Sequence, residues 1–162
     1  MTEQVIETDK LIAKALVWLG KQEYSVAKFT QKLAQQQATP SQIEQLVELF
    51  CQRGWLNELR YCQGFVRGRV AKGQGETRIL HDGRAKQLDS ELLNQALQQA
   101  EIDWFELAAD TYQRRYPNND LLKQADRQAV FKERNKRMRF MQYRGFSFEQ
   151  IEYAIDCLDE QS

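Results

Sequence analysis

The chain has 162 residues, 42% of them hydrophobic and 28% charged, and its 23 basic and 23 acidic side chains cancel to a formal net charge of zero. That length and balance fit an ordinary globular protein with real cores, and any surface for nucleic acid or an acidic partner must come from local segregation of charge. No apolar run approaches the roughly 18 residues of a membrane span, and the opening MTEQVIETDK lacks the apolar centre of a signal peptide.

With two prolines, eight glycines and abundant Gln, Glu, Lys, Arg, Leu and Ala, the composition favours helix. Leu11, Ile12, Ala15, Leu16 and Leu19 form a first helical stripe, expected to end at Gly20. Ser25 is placed to cap a second helix that buries Val26, Phe29 and Leu33, with Tyr24 as its hydrophobic staple. A third opens near Thr39 or Ser41, with Pro40 in its first turn, and carries Ile43, Leu46, Val47 and Phe50 at i, i+3, i+4, i+7 spacing. Gly54 stops it.

The pattern then restarts. Asn57 caps a helix bearing Leu59, Cys62, Phe65, Val66 and Val70, which Gly73 and Gly75 break. The stretch ETRILHDGRAKQL reads as a weaker helix, and Asp89 caps another with Leu93, Ala96, Leu97 and Ala100. Asp103 with Glu106 opens a helix from Trp104 to about Tyr116. A PNND turn follows, then a long helical stretch expected from about Leu121 to Tyr143. Ser147 and Gln150 form a capping box before Ile151, Ala154, Ile155 and Leu158. The turn Arg53-Gly54-Trp55-Leu56-Asn57 returns in outline as Arg144-Gly145-Phe146-Ser147.

The sets beginning at Ile43, Leu93 and Ile151 are therefore the closing helices of similar units, in register at roughly fifty-residue spacing. No window alternates at period two. The expected fold is all-α, as three tandem three-helix repeats over 1–57, 58–102 and 103–162.

Chemistry is sparse. Cys51, Cys62 and Cys157 have no C-x-x-C spacing and read as reduced, mostly packing thiols of a cytoplasmic protein. The single histidine, His81, reads as exposed or structural. No His/Cys set has zinc spacing and no acidic loop has calcium spacing. KGQG at 72–75 lacks the preceding strand and the G-K-[ST] of a phosphate loop, and reads as a hinge between helices. Glu44, Glu48, Asp110 and Asp126 read as solvated surface. The chain is expected to be no enzyme, and to need no cofactor or metal.

Two stretches do concentrate positive charge. One holds Arg67, Arg69, Lys72, Arg78, Arg84 and Lys86 against Glu76 and Asp82; the other holds Arg127, Lys132, Arg134, Lys136, Arg137, Arg139 and Arg144 against Glu133. Arginine grips phosphate or carboxylate bidentately and stacks on rings such as Phe140 or Tyr143. The residues alone leave three readings: a nucleic-acid-binding array of helix-turn-helix-like modules, a protein-binding array on an acidic or nucleoprotein partner and, least favoured, an enzyme. The bland reading is a solvated helix face. The acidic helices at 43–49, 89–106 and 149–160 argue against simple wrapping of DNA.

RGWLNELRYCQGFVRGR at 53–69, KGQGETRILHDGRAKQLDSELLNQAL after it and RGFSFEQIEYAI near the end together resemble the RecX family, bacterial regulators of the RecA recombinase. The early YSVAKFTQKL matches the family pattern only at Ser25, Lys32 and Leu33. The resemblance runs from about Leu11 to Leu158. Gly83 stands where that family has leucine, Gln87 where it has a helix-ending glycine, Asp82 in place of Glu, Cys62 in place of alanine, and Lys28-Phe29 in place of Glu-Leu.

The resemblance implies an elongated, curved, monomeric array that lies in the groove of the RecA filament on single-stranded DNA. There it would inhibit ATP hydrolysis, strand exchange and co-protease activity, modulating recombinational repair and the SOS response, with weak direct DNA binding besides. The alternative is an autonomous DNA-binding module. On this reading Arg67, Arg69, Lys72, Arg78, Lys132, Arg134, Lys136, Arg137, Arg139 and Arg144 carry the contact, while Gly54, Asn57, Gly145 and Ser147 shape turns and caps. Glutamate at Arg134, Arg137 and Arg139 is expected to abolish inhibition and leave helicity intact.

Overall fold

Helix starts are set by short polar side chains that satisfy otherwise orphaned backbone N–H groups. In the computed structural model, which describes residues 7–160, Ser25 Oγ accepts from Lys28 N and Asn57 Oδ1 from Arg60 N. Asp89 and Asp103 accept likewise from Leu92 N and Glu106 N. Thr39 with Gln42 and Ser147 with Gln150 form reciprocal capping boxes.

The resulting helices are α1 Thr8–Lys21, α2 Val26–Gln35, α3 Pro40–Gln52, α4 Glu58–Ala71, α5 Glu76–Ala85, α6 Ser90–Gln99, α7 Trp104–Arg115, α8 Arg127–Tyr143 and α9 Phe148–Glu160. A 3₁₀ turn, Asp120–Leu122, interrupts the α7–α8 connection. Among the described residues there is no strand, and the chain is all-helical.

By contacts the chain divides into two compact units. One runs up to Phe65 and includes Arg84–Ala96; the other combines Val66–Gly83 with the chain from Leu97 onward. In the first, Leu11, Ala15, Tyr24, Phe29, Leu33, Leu46, Phe50 and Leu56 form the core. The rings of Phe29 and Phe50 lie 5.2 Å apart, and Trp18 meets Phe29 edge-on. In the second, Ala108, Tyr112, Tyr116, Met141, Phe146, Ile151, Ala154, Ile155 and Leu158 do the same work. Each fully buried aliphatic or aromatic side chain here contributes about 1.5–3 kcal/mol.

Three connections share one geometry. Gln37, Gln87 and Gly145 all have positive φ, at 64°, 59° and 103°. The caps Thr39, Asp89 and Ser147 stand at the same offset after them. Leu33, Gly83 and Met141 are buried at the same offset before them, and one turn earlier so are Phe29, Ile79 and Arg137. The third-repeat member of that last set is an arginine.

Several expectations are corrected. Gly20 lies inside α1, which runs on to Lys21. Leu16 of the expected stripe is 41% exposed, as Leu11 and Ala15 take the buried face. The long helix begins at Arg127, not Leu121, because Asp126 caps it by accepting from Gln128 N and Ala129 N. Asp126 is thus a cap rather than idle surface. The weak middle helix is continuous through Gly83, which is buried. Cys51 is an exposed thiol and Cys157 a half-buried one, so only Cys62 is fully packed.

Candidate functional site

The site begins with two glycines. Gly75 N donates to the carbonyl of Arg144 at 2.7 Å, and Thr77 N donates to that of Gly145 at 3.3 Å. A Cβ on Gly75 would collide with the Gly145 backbone and stand 2.9 Å from Phe146 N, while one on Gly145 would strike Arg78. Only glycine allows this approach. KGQG is therefore no loose hinge. It is a backbone tie between the α4–α5 turn and the α8–α9 turn, two segments seventy residues apart (75 against 145).

The tie brings the two basic stretches together. Arg144 donates through Nη2 to the carbonyl of Lys72, and the Arg78 guanidinium lies 4.7 Å from the centre of the Tyr143 ring. Arg69 and Arg78 both donate to Asp82, the latter at 3.1 Å. Burial would raise the Asp82 pKa, but hydrogen bonds from His81, Arg78 and Arg69 outweigh it and hold the carboxyl below its ordinary value. Arg67 and Lys72 are exposed on α4 and just after it.

On α8 the cations separate into roles. Lys132, Lys136 and Arg139, at i, i+4, i+7 spacing, are exposed on one face, with Tyr143 one turn further and 70% exposed. Arg134 faces Glu152 at 3.7 Å. Arg137 is 3% exposed and belongs to the interior. Its Nε donates to Glu133 at 3.0 Å, and its Nη1 donates to the Tyr112 hydroxyl at 2.8 Å and to the Asn118 carbonyl at 3.1 Å. Asn119 extends the network to the Ile155 carbonyl and Asp159, both at 2.9 Å. Burial pushes the Tyr112 phenol up, and the hydrogen bonds to Tyr112 and Glu133 keep Arg137 charged despite its burial. Arg137 is thus a structural group, held in the fold and away from any partner.

Two cations escaped the sequence reading. Arg114 and Arg115, in the last turn of α7, line a cavity of about 240 Å³ with Lys72, Thr111, Phe140 and Arg144. In sequence they look like ordinary helix-terminal charges facing the dipole. Only the glycine tie carries Lys72 and Arg144 to them.

No group of three or more His, Cys, Asp or Glu among the described residues is arranged to hold a metal ion. His81 is exposed beside Asp82. Burial, with Glu58 and Asp89 nearby, pushes the Cys62 thiol up to about 11, which leaves it a poor nucleophile. No helix among the described residues is long and apolar enough to cross a membrane.

Recurring three-helix sets, with cations of the α4–α5 turn, α7 and the end of α8 brought together at the glycine tie, define a helical-repeat protein that presents charge. Two family models match the chain: RecX, second three-helix domain, over residues 57–97, and RecX, third three-helix domain, over 101–155. The regulatory protein RecX of Vibrio parahaemolyticus is 34% identical over 146 residues, 90% of each chain. That of Halorhodospira halophila is 30% identical over 160 residues, 99% of this chain and 95% of the other. The crystal structure of RecX from Lactobacillus salivarius superposes with a TM-score of 0.76 at 21% identity, covering 94% of this chain and 97% of that one. The chain belongs to the RecX family of regulatory proteins.

Proposed function

We propose that this protein is a cytoplasmic, monomeric regulator of the RecA recombinase, built as repeats over 1–57, 58–102 and 103–162. It binds the RecA filament on single-stranded DNA, in its helical groove, and inhibits ATP hydrolysis, strand exchange and co-protease activity. Recombinational repair and the SOS response are thereby modulated. The observation that carries the reading, within a family of regulators, is the convergence of two basic stretches at the glycine tie of a chain without net charge. A nucleoprotein filament offers acidic protein and phosphate together, and several weak contacts sum along such a polymer.

The contact surface on this reading is Arg67, Lys72, Lys132, Lys136, Arg139 and Arg144, with Arg69 and Arg78 held in place by Asp82. Because Arg137 is interior, glutamate there would bury an unpaired carboxylate, and loss of inhibition would report unfolding. The informative variant is Lys132→Glu/Lys136→Glu/Arg139→Glu. Its far-UV helicity is expected to match the parent, and its inhibition of ATP hydrolysis by a RecA filament on single-stranded DNA to be lost at fixed salt. Binding to bare single-stranded DNA is measured in parallel. Inhibition by the parent at concentrations too low to occupy bare DNA supports the filament reading. Tight DNA binding without inhibition would instead make the protein an autonomous DNA-binding module, and full inhibition by the variant would remove α8 from the contact.

A further inference from the structure

We propose that the cavity lined by Lys72, Thr111, Arg114, Arg115, Phe140 and Arg144 is a phosphate-binding subsite. Four cations converge on it, and no carboxylate lines it. Asp82 is already engaged by Arg69 and Arg78. Four positive charges gathered without a counter-charge repel one another, and an oxyanion removes that cost.

The second observation is Arg144 itself. Its Nη2 is spent on the Lys72 carbonyl, but its Nε is buried and has no hydrogen-bond partner in the protein. A buried, charged donor without an acceptor is a costly arrangement, and a phosphate oxygen at the cavity would satisfy it. The wall around it is closely packed. Gly73 has φ of +74°, and a Cβ there would stand 2.8 Å from Thr111 Oγ1 and 3.3 Å from Arg144 Nη2, so the glycine makes room for both. Thr111 Oγ1 donates to the Gly73 carbonyl at 3.4 Å. Arg115 stacks on Tyr116 and Phe140, at 5.1 and 5.5 Å from the ring centres. Stacking occupies the face of the guanidinium and leaves recognition to its N–H edge.

Charge selects the ligand, and the volume accommodates it. At about 240 Å³ the cavity holds roughly eight waters' worth of liquid volume. That admits a phosphate or pyrophosphate group. The phosphate comes either from a nucleic-acid backbone or from the chain of a free nucleotide, and the chemistry of the site is the same for both. This inference is independent of the filament reading, since a titration with phosphate needs no recombinase.

Isothermal titration of the full-length protein with inorganic pyrophosphate, in chloride buffer, tests it. One pyrophosphate is expected to bind per chain. Lys72→Ala/Arg114→Ala, which alters exposed side chains, is expected to weaken binding at least about tenfold, the loss of a charge-assisted hydrogen bond or more. Lys10→Ala/Lys21→Ala removes the same charge from exposed positions of α1 that do not line the cavity, and is expected to leave binding within about twofold. Arg115→Lys keeps charge but loses the fork, and is expected to fall between them. A short oligothymidylate that displaces pyrophosphate, and is itself weakened by the Lys72/Arg114 pair, identifies a nucleic-acid phosphate. Displacement by a nucleoside triphosphate but not by the oligonucleotide identifies a free nucleotide. Equal affinity in the Lys72/Arg114 and Lys10/Lys21 variants, or no saturable binding by the parent, overturns the proposal.

Discussion

Arg137 occupies a position that the other two repeats give to Phe29 and Ile79, all three buried. A charge survives there because Glu133, Tyr112 and the Asn118 carbonyl accept its donors, and Asn119 ties the same network to α9. The Asn118–Asp120 turn has no counterpart in the shorter α1–α2 and α4–α5 connections, and it supplies the Asn118 carbonyl and Asn119 Oδ1, while Tyr112 and Glu133 come from α7 and α8. Removing the guanidinium strands them. Arg137→Ala is expected to lose about 3 kcal/mol in urea unfolding, the scale of a broken buried ion pair. Arg137→Met, which restores the apolar character of the other repeats, is expected to lose less than half as much. Equal losses would mean that the network, and not filled volume, is what residue 137 supplies.

At the scale of the helices, junction chemistry decides how each repeat ends. Three connections need a left-handed residue before the third helix of the set, yet only Gly145 is glycine, while Gln37 and Gln87 adopt φ of 64° and 59°. A side chain in that region costs roughly 1–2 kcal/mol, and Gln87 adopts it nonetheless, with its N donating to the Arg84 carbonyl at 3.0 Å. Gln87→Gly is therefore expected to raise stability by about 1 kcal/mol in urea unfolding, with unchanged helicity. Gly145→Ala is a different case despite the shared geometry. Its Cβ would meet Arg78, so the glycine tie itself would open.

Over the whole molecule, zero net charge hides a sorted surface, and some of its ion pairs also support the fold. Asp82 and Asp159 both have carboxyls held below their ordinary values. For Asp82 the hydrogen bonds from His81, Arg78 and Arg69 overcome burial; for Asp159 the Asn119 amide leads, with Lys123 beside it. A carboxyl whose folded pKa is depressed stabilises the fold fully above its unfolded value, about 3.9 for aspartate. That contribution is lost as pH falls toward the folded value. The urea midpoint is expected to fall on acidification below about pH 4. Asp82→Asn should start lower at neutral pH and show a shallower acid loss. An identical pH profile in the variant would show that Asp82 contributes nothing to acid stability.

Helical class, repeat period and nearly every cap were legible in the sequence, because caps and apolar stripes are local. A serine three residues before a free N–H, or leucines at i, i+3 and i+4, act within one or two turns and need no tertiary partner to be recognised. The family pattern was legible for the same reason, as it is written in turns such as Arg53–Asn57 and Arg144–Ser147. The start of α8 was misplaced because two leucines in the 3₁₀ turn mimic a helical stripe, and Asp126 looked like surface. What only the tertiary structure decided is which of the arginines face outward. Arg137, Arg134 and Arg139 are chemically alike and near in sequence, yet one is interior, one is paired and one is exposed. Their difference depends on Tyr112, Asn119 and Glu152, residues from other helices and turns. The cavity beside Arg114 and Arg115 exists for a similar reason. Two glycines seventy positions apart let backbone meet backbone, and no local pattern of side chains announces a contact made by their absence.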